Sequence, residues 1–165
     1  MAVLTIIQTS EIDLRHKADK VQNFDKSIRT LLGDMAETLA SAGGLGLAAI
    51  QVGVPMRIFV VRRGTEYIKF VNPTISGAEG RQDSPEACLS LPGVYGMVRR
   101  PARVIVDALD ENGKPFRLEA TGRLAGALSH EYDHLDGILF TDKAYMVRRF
   151  HVAAPSSPGT VKRIQ

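Results

Sequence analysis

Apolar residues recur with two different periods along this 165-residue chain, and the changes of period mark out its elements. Ile28, Leu31, Leu32, Met35 and Leu39 share one face of a 3.6-residue repeat, which predicts an amphipathic helix over 26–41. Asp25 is a good N-cap for it and Gly43-Gly44 stops it. Short apolar runs at 57–61 and 67–71 predict strands, with a turn at Arg63-Gly64-Thr65 and edges at Pro55 and Pro73. Residues 74–85 are rich in Gly, Ser and Asp and read as a loop, and Tyr95 to Met97 as a glycine-containing bend. Residues 103–109 and 115–120 read as a hairpin around Asn112-Gly113, with Phe116, Leu118 and Ala120 alternating against Arg117 and Glu119. Thr121-Gly122 opens a second main helix, 123–136, ended by Gly137. Ile138-Leu139-Phe140 reads as a short buried segment, and Asp142 as the cap of a last helix over 143–152. A Pro/Ser/Gly cluster at 155–159 predicts a loose tail from about 154. The order helix, strands, hairpin, helix argues for one α+β domain, 1–165, with mostly antiparallel sheet around a central helix.

Composition narrows this little. The length suits one domain with a full core. Aromatic residues make up 6% of the chain and Trp is absent, so the core is expected to be aliphatic. The net charge of +3 is too small to argue for DNA or other nucleic acid as a partner. No apolar run approaches the roughly 20 residues of a membrane helix, and Ala2 to Ile7 does not read as a signal peptide. The one cysteine, Cys88, excludes an intrachain disulfide and suits a reducing cytoplasm. His16, set among charges, reads as an exposed residue without a function.

The chemistry gathers on the second helix, which carries His130-Glu131-Tyr132-Asp133-His134. Two imidazoles four residues apart stand on one helix face and can close on one metal ion, and Glu131 between them can take a proton from an activated water. Such a site needs a third protein ligand. A protease of the H-E-x-x-H-x-x-G-x-x-H type would place it at 140, where this chain has Phe140. A downstream Glu is ruled out, because no Glu follows Glu131. Asp142 and His151 remain downstream, one at a helix cap and one near a basic end. Cys88 is the best remaining donor, since His-His-Cys is an accepted catalytic set that leaves a position open. Gly126 and Ala127, one turn before His130, are small and leave room for an apolar substrate side chain. Upstream, Gly43-Gly44-Leu45-Gly46 lets a backbone approach closely. Gln51 is the one polar side chain in the run from Leu45 to Val52 and can donate to an oxygen.

Gly44-Leu45-Gly46-Leu47-Ala48-Ala49-Ile50-Gln51, Glu86-Ala87-Cys88-Leu89-Ser90 and His130-Glu131-Tyr132-Asp133-His134 resemble, in order, the three signature motifs of peptide deformylases. The resemblance extends to about residue 150, and the short spacing of the first two motifs looks like the bacterial type without a large insertion there. It implies a hydrolase that removes the N-formyl group from the N-terminal methionine of nascent polypeptides. It implies one divalent ion per chain, Fe²⁺ in the cell, with Zn²⁺, Ni²⁺ or Co²⁺ as substitutes. Cys88, His130 and His134 would be ligands and Glu131 the general base and then acid. The Gln51 amide and the Leu89 backbone N–H would serve the oxyanion. The Gly44-Leu45-Gly46 backbone would pair with an extended peptide, and Asp133 would orient a neighbour or form a salt bridge.

Ala87 stands where the family usually has Gly, and Ser129 where it has Gln. Gly126 and Ala127 replace larger residues near the methionine pocket, and Arg123 an apolar one. These departures leave the ligands and base intact and imply an altered pocket. From Lys143 onward five basic residues and no acid occur. The resemblance suggests that such a segment meets ribosomal RNA, and a solvated basic end is the plainer expectation. Two other readings stand beside deformylation: a general HExxH metallopeptidase or other metal amidase, and a non-catalytic deformylase-like binding protein, which would have no need of Glu131.

Overall fold

The computed structural model describes residues 2–8, 11–152, 163 and 164, with backbone alone at 11, 12, 151, 152, 163 and 164. A single turn, α1 (Glu11–Leu14), precedes the long helix α2 (Lys26–Ala42). Asp25 caps α2 by accepting from the Ser27 and Ile28 N–H groups at 3.1 and 3.2 Å. Gly43, at φ 73°, ends it in the left-handed conformation and donates its N–H to the Leu39 carbonyl. Strand β1 (Gly46–Ala48) follows and runs into a 3₁₀ turn at Ala49–Val52. Next come β2 (Ile58–Arg63), β3 (Glu66–Glu79), β4 (Gln82–Cys88), β5 (Leu91–Arg100), β6 (Arg103–Leu109) and β7 (Pro115–Thr121). The chain then forms α3 (Gly122–Leu135), a one-turn α4 (Phe140–Lys143), β8 (Ala144–Arg149) and the short pair β9 (His151–Val152) and β10 (Arg163–Ile164).

Strands β1-β2-β3-β6-β7 form one antiparallel sheet, and β4-β5-β8 form another. The first sheet is covered on both faces, which is why Ile58-Phe59-Val60-Val61 is apolar without alternation. Ile58 and Val60 pack with Leu32, Met35 and Leu39 of α2. Phe59 and Val61 pack with Ala125, Leu128 and Leu135 of α3 on the opposite face. All four β2 side chains are fully buried. Helix α3 touches both sheets, so its polar face opens into the cleft between β1, an edge strand, and β4. The architecture is α+β and mostly antiparallel around that helix, as expected.

Three expectations fail. Residues 74–85 are not a loop, because β3 continues to Glu79 along β6 through two register shifts and β4 begins at Gln82. Most polar side chains there face outward, Ser84 being buried, while the backbone finds ladder partners, so tertiary pairing overrides local propensity. Residues 95–97 lie inside β5 rather than in a bend. Gly96 is needed because a Cβ there would sit 2.9 Å from the Met146 carbonyl oxygen and 3.1 Å from Phe140. Residues 143–152 are not a helix. After α4 the segment Ala144–Arg149 pairs with β5 as β8. Asp142 lies inside α4, accepts from the Leu139 N–H at 3.0 Å and pairs with Arg15. The expected loose tail lies outside the described residues, apart from Arg163 and Ile164, whose backbone pairs with β9. Among the described residues, no helix is long and apolar enough to cross a membrane.

Candidate metal centre

Helix α3 brings His130 and His134 to one face, with ring centroids 5.0 Å apart. Cys88, at the end of β4, meets them there: one donor atom from each of the three residues lies within 4.8 Å of the others. The Cys88 Sγ is 3.4 Å from His134 Nε2. His130 Nδ1 is engaged by the Glu86 carboxylate at 2.8 Å, which leaves Nε2 for the cluster. Phe140, where another protease class carries a third His, stacks on the His130 ring at 5.7 Å. It holds a candidate ligand rather than being one. Asp142 pairs with Arg15 and is not in the cluster. The His151 side chain lies outside the described residues.

A chain of buried charge stands behind His130. The Arg100 guanidinium, 3% exposed, grips Glu86 through two hydrogen bonds of 2.8 Å and Asp133 through one of 2.6 Å. Lys143 adds a bond to Asp133 at 3.1 Å. Asp133 thus forms the expected salt bridges. Burial pushes the Glu86 carboxyl up, but hydrogen bonds from Arg100 and His130 outweigh it and hold the pKa at about 2. Burial also works against charge on His130, yet its bonds to Cys88 and Glu86 carry it up to about 10. Burial, and then the charge of His130, hold His134 well below the usual imidazole range. His134 is thus held as a neutral imidazole, the form that ligates a metal, and the buried carboxylate of Glu86 stands behind His130. A thiol and two imidazole nitrogens so placed fit a divalent cation.

Glu131 is buried against β1. Its Oε1 lies 4.0 Å from His130 Nε2, and Oε2 has no protein partner among the described residues. Burial first, and then the Glu86 charge, raise its pKa to about 7. A Cβ on Gly46 would lie 2.6 Å from that Oε1, so only glycine lets the strand pass so close. Gln51 is fixed by its own turn: Oε1 accepts the Ala48 N–H at 2.9 Å. Its Nε2 points at Cys88 Sγ, 3.4 Å away, and at Ser90 Oγ, 3.1 Å away. Leu89 packs beside Gly44 across the cleft.

The cleft itself has a volume of about 1390 Å³. Gly44, Leu45, Gly46, Ala87, Leu89, Arg123, Gly126, Ala127, His130 and Glu131 all line it. The room expected beside Gly126 is partly taken by Ser84 of β4, whose Oγ would be 2.8 Å from a Cβ there. Gly126→Leu is therefore expected to destabilise the fold by about 1–3 kcal/mol by overpacking, as read by thermal denaturation. Ser129 does not reach the cleft, because its hydroxyl donates to the Ala125 carbonyl at 2.8 Å. Arg100 and Ser84 had no role in the sequence reading. A buried-side position on β5, in step with Val98, was the available signal for Arg100.

The family model for polypeptide deformylase matches residues 3–150. The chain belongs to the polypeptide deformylase family. It is 51% identical to the peptide deformylase of Acetivibrio thermocellus over 143 residues, 87% of this chain and 84% of that one. It is 48% identical to peptide deformylase 1 of Bacillus anthracis over 145 residues, 87% and 93% of the two chains. The peptide deformylase structure from Thermotoga maritima superposes with a TM-score of 0.85 at 31% identity, covering 88% of this chain and all of that one. The Synechococcus elongatus deformylase, solved in complex with actinonin, superposes with a TM-score of 0.83 at 40% identity, covering 87% and 79%. The chain is accordingly a deformylase, a hydrolase that removes an N-formyl group from polypeptides, and membership of a metal-dependent family sets the general metallopeptidase reading aside.

Proposed function

We propose that this single catalytic domain deformylates N-terminal formylmethionine on nascent polypeptides in the cytoplasm, with Fe²⁺ held by Cys88, His130 and His134. The convergence of those three donor groups beside Glu131 carries the reading. Zn²⁺, Ni²⁺ or Co²⁺ would fit the same donors. An ion in such a site acts as a Lewis acid and brings the pKa of water toward neutrality. Glu131 takes the proton of the attacking water and returns it to the leaving amine. The Gln51 amide, already aimed at Cys88 Sγ, and the Leu89 N–H donate to the oxyanion of the tetrahedral intermediate. The Gly44-Leu45-Gly46 backbone, which leads into the edge strand β1, pairs with the extended peptide. Ala87, Gly126 and Ala127 border the methionine side chain. Arg148 and Arg149, exposed on β8, belong to the basic segment proposed to meet the ribosome. Lys143 is less available, being paired with Asp133. A fall of ribosome affinity with salt would test that contact.

The test of the activity is formate release from formyl-Met-Ala-Ser by protein reconstituted anaerobically with Fe²⁺. No formate from this or any other formyl peptide would overturn the proposal. A second prediction isolates the approach of β1. Gly46→Ala places a methyl against the Glu131 carboxylate. It is expected to lower kcat about 10²-fold by displacing that group, with ion content unchanged by metal analysis.

A further inference from the structure

The cleft has a charge pattern that metal chemistry leaves unused. Three arginines line it from three separate elements: Arg62 on β2, Arg123 on α3 and Arg148 on β8. Among the described residues none of the three is in an ion pair, so no neighbouring carboxylate neutralises their charge. The acids that line the cleft among the described residues are Glu86 and Glu131. Glu86 is already bound by Arg100 and His130, and Glu131 is buried against Gly46. The charge that an entering peptide meets is therefore cationic on several sides. Clefts lined by one sign of charge raise the local concentration and the affinity of the opposite sign.

We propose that Arg62, Arg123 and Arg148 make this deformylase prefer formylated peptides with an acidic side chain within the first few residues after the methionine. The inference rests on the deformylase reading and names its substrate class more closely. Register indicates where the acid would sit. Arg123 precedes His130 by seven residues, about 10 Å along the helix axis. That equals roughly three residues of extended peptide at about 3.3 Å each. A chain whose formyl end reached His130 and that ran along the cleft toward the start of α3 would bring its second or third residue within the range of Arg123. The formylated terminus has no ammonium group to be repelled on entry.

The test compares kcat/KM for formyl-Met-Ala-Glu-Ser, formyl-Met-Ala-Gln-Ser and formyl-Met-Ala-Lys-Ser, and for the matching series at the second residue, using ion-loaded enzyme. Glu is expected to exceed Gln by about three- to fivefold, and Gln to exceed Lys similarly, at low ionic strength. The difference should lie mainly in KM and should shrink in about 0.5 M salt, where the Debye length is only a few ångströms. Arg123→Leu, with Arg148→Gln as an independent variant, should move the Glu-to-Gln ratio toward one. Equal rates for Glu, Gln and Lys in the unaltered enzyme, or a ratio unmoved in both variants, would overturn the inference while leaving deformylation intact. No formate from any of the peptides would overturn the deformylase reading and this inference with it.

Discussion

Glu131→Gln is expected to lower formate release about 10²–10⁴-fold, the range that a positioned acid–base group contributes, while the ion-free protein becomes more stable. The two halves have one cause. Glu131 is a buried carboxylate with Oε2 unpartnered among the described residues, and its pKa stands at about 7. An acid whose folded pKa lies above its unfolded value binds more protons when folded, so its charge opposes folding progressively as pH rises from about 4.5 to about 7 and by a constant amount above that. Gln keeps the shape against Gly46 and removes the charge. Thermal melts of the ion-free variant above pH 7 should therefore show a gain, of order 1–3 kcal/mol by linkage, that disappears near pH 5. A gain in stability with a loss of turnover is the mark of a group kept for chemistry. The acid limb of the wild-type pH–rate profile should also be absent from the variant's residual activity. Wild-type rates in the variant would return the chain to the binding-protein reading.

The parts of this site that were legible in sequence are those written in local spacing. His130 and His134 share a face because four residues make about one turn, and helix α3 was bounded to within a residue by Gly122 and Gly137. Cys88 was reached by eliminating Phe140 and any later Glu, and the geometry brings its sulfur to the two histidines. What escaped depends on distant partners. Residues 95–97 and 144–149 become strands only because β5 and β8 find each other, and Gly96 looks like a breaker until the Met146 carbonyl is seen against it. Ser84 fills space beside Gly126 from a strand that read as loop. Arg100 looks like one of a pair of surface cations in Arg99-Arg100-Pro101. Its burial follows from Glu86 on β4 and Asp133 on α3, two acids that only the fold brings together.

Arg100→Leu is expected to destabilise the protein by about 3–5 kcal/mol, because it takes from the buried Glu86 and Asp133 carboxylates the cation they share, leaving only His130 and Lys143 beside them. The loss should be pH-dependent in a definite direction. The Glu86 pKa of about 2 lies below its ordinary value of 4.5, so the stability that this group contributes is fully present above about 4.5 and is lost as pH falls toward 2. Without Arg100, burial acts on Glu86 with less opposition and its pKa rises. The deficit of the variant should then be greatest near pH 7 and should narrow on acidification, as Glu86 accepts a proton in the variant before it does so in the wild type. Ion binding should weaken as well, by about 10–100-fold, since Glu86 is the group that holds His130 Nδ1. Arg100→Lys separates charge from geometry. Lys restores a cation but has no planar fork to span Glu86 and Asp133 together, so it should recover part of the stability and less of the ion affinity. Melts of ion-free protein between about pH 4 and 8, with ion titration by competition against a chelator, read both effects. An Arg100→Leu variant that melts like wild type at pH 7 and binds its ion unchanged would remove Arg100 from the support of the centre. It would leave the His130–Glu86 bond to stand by itself.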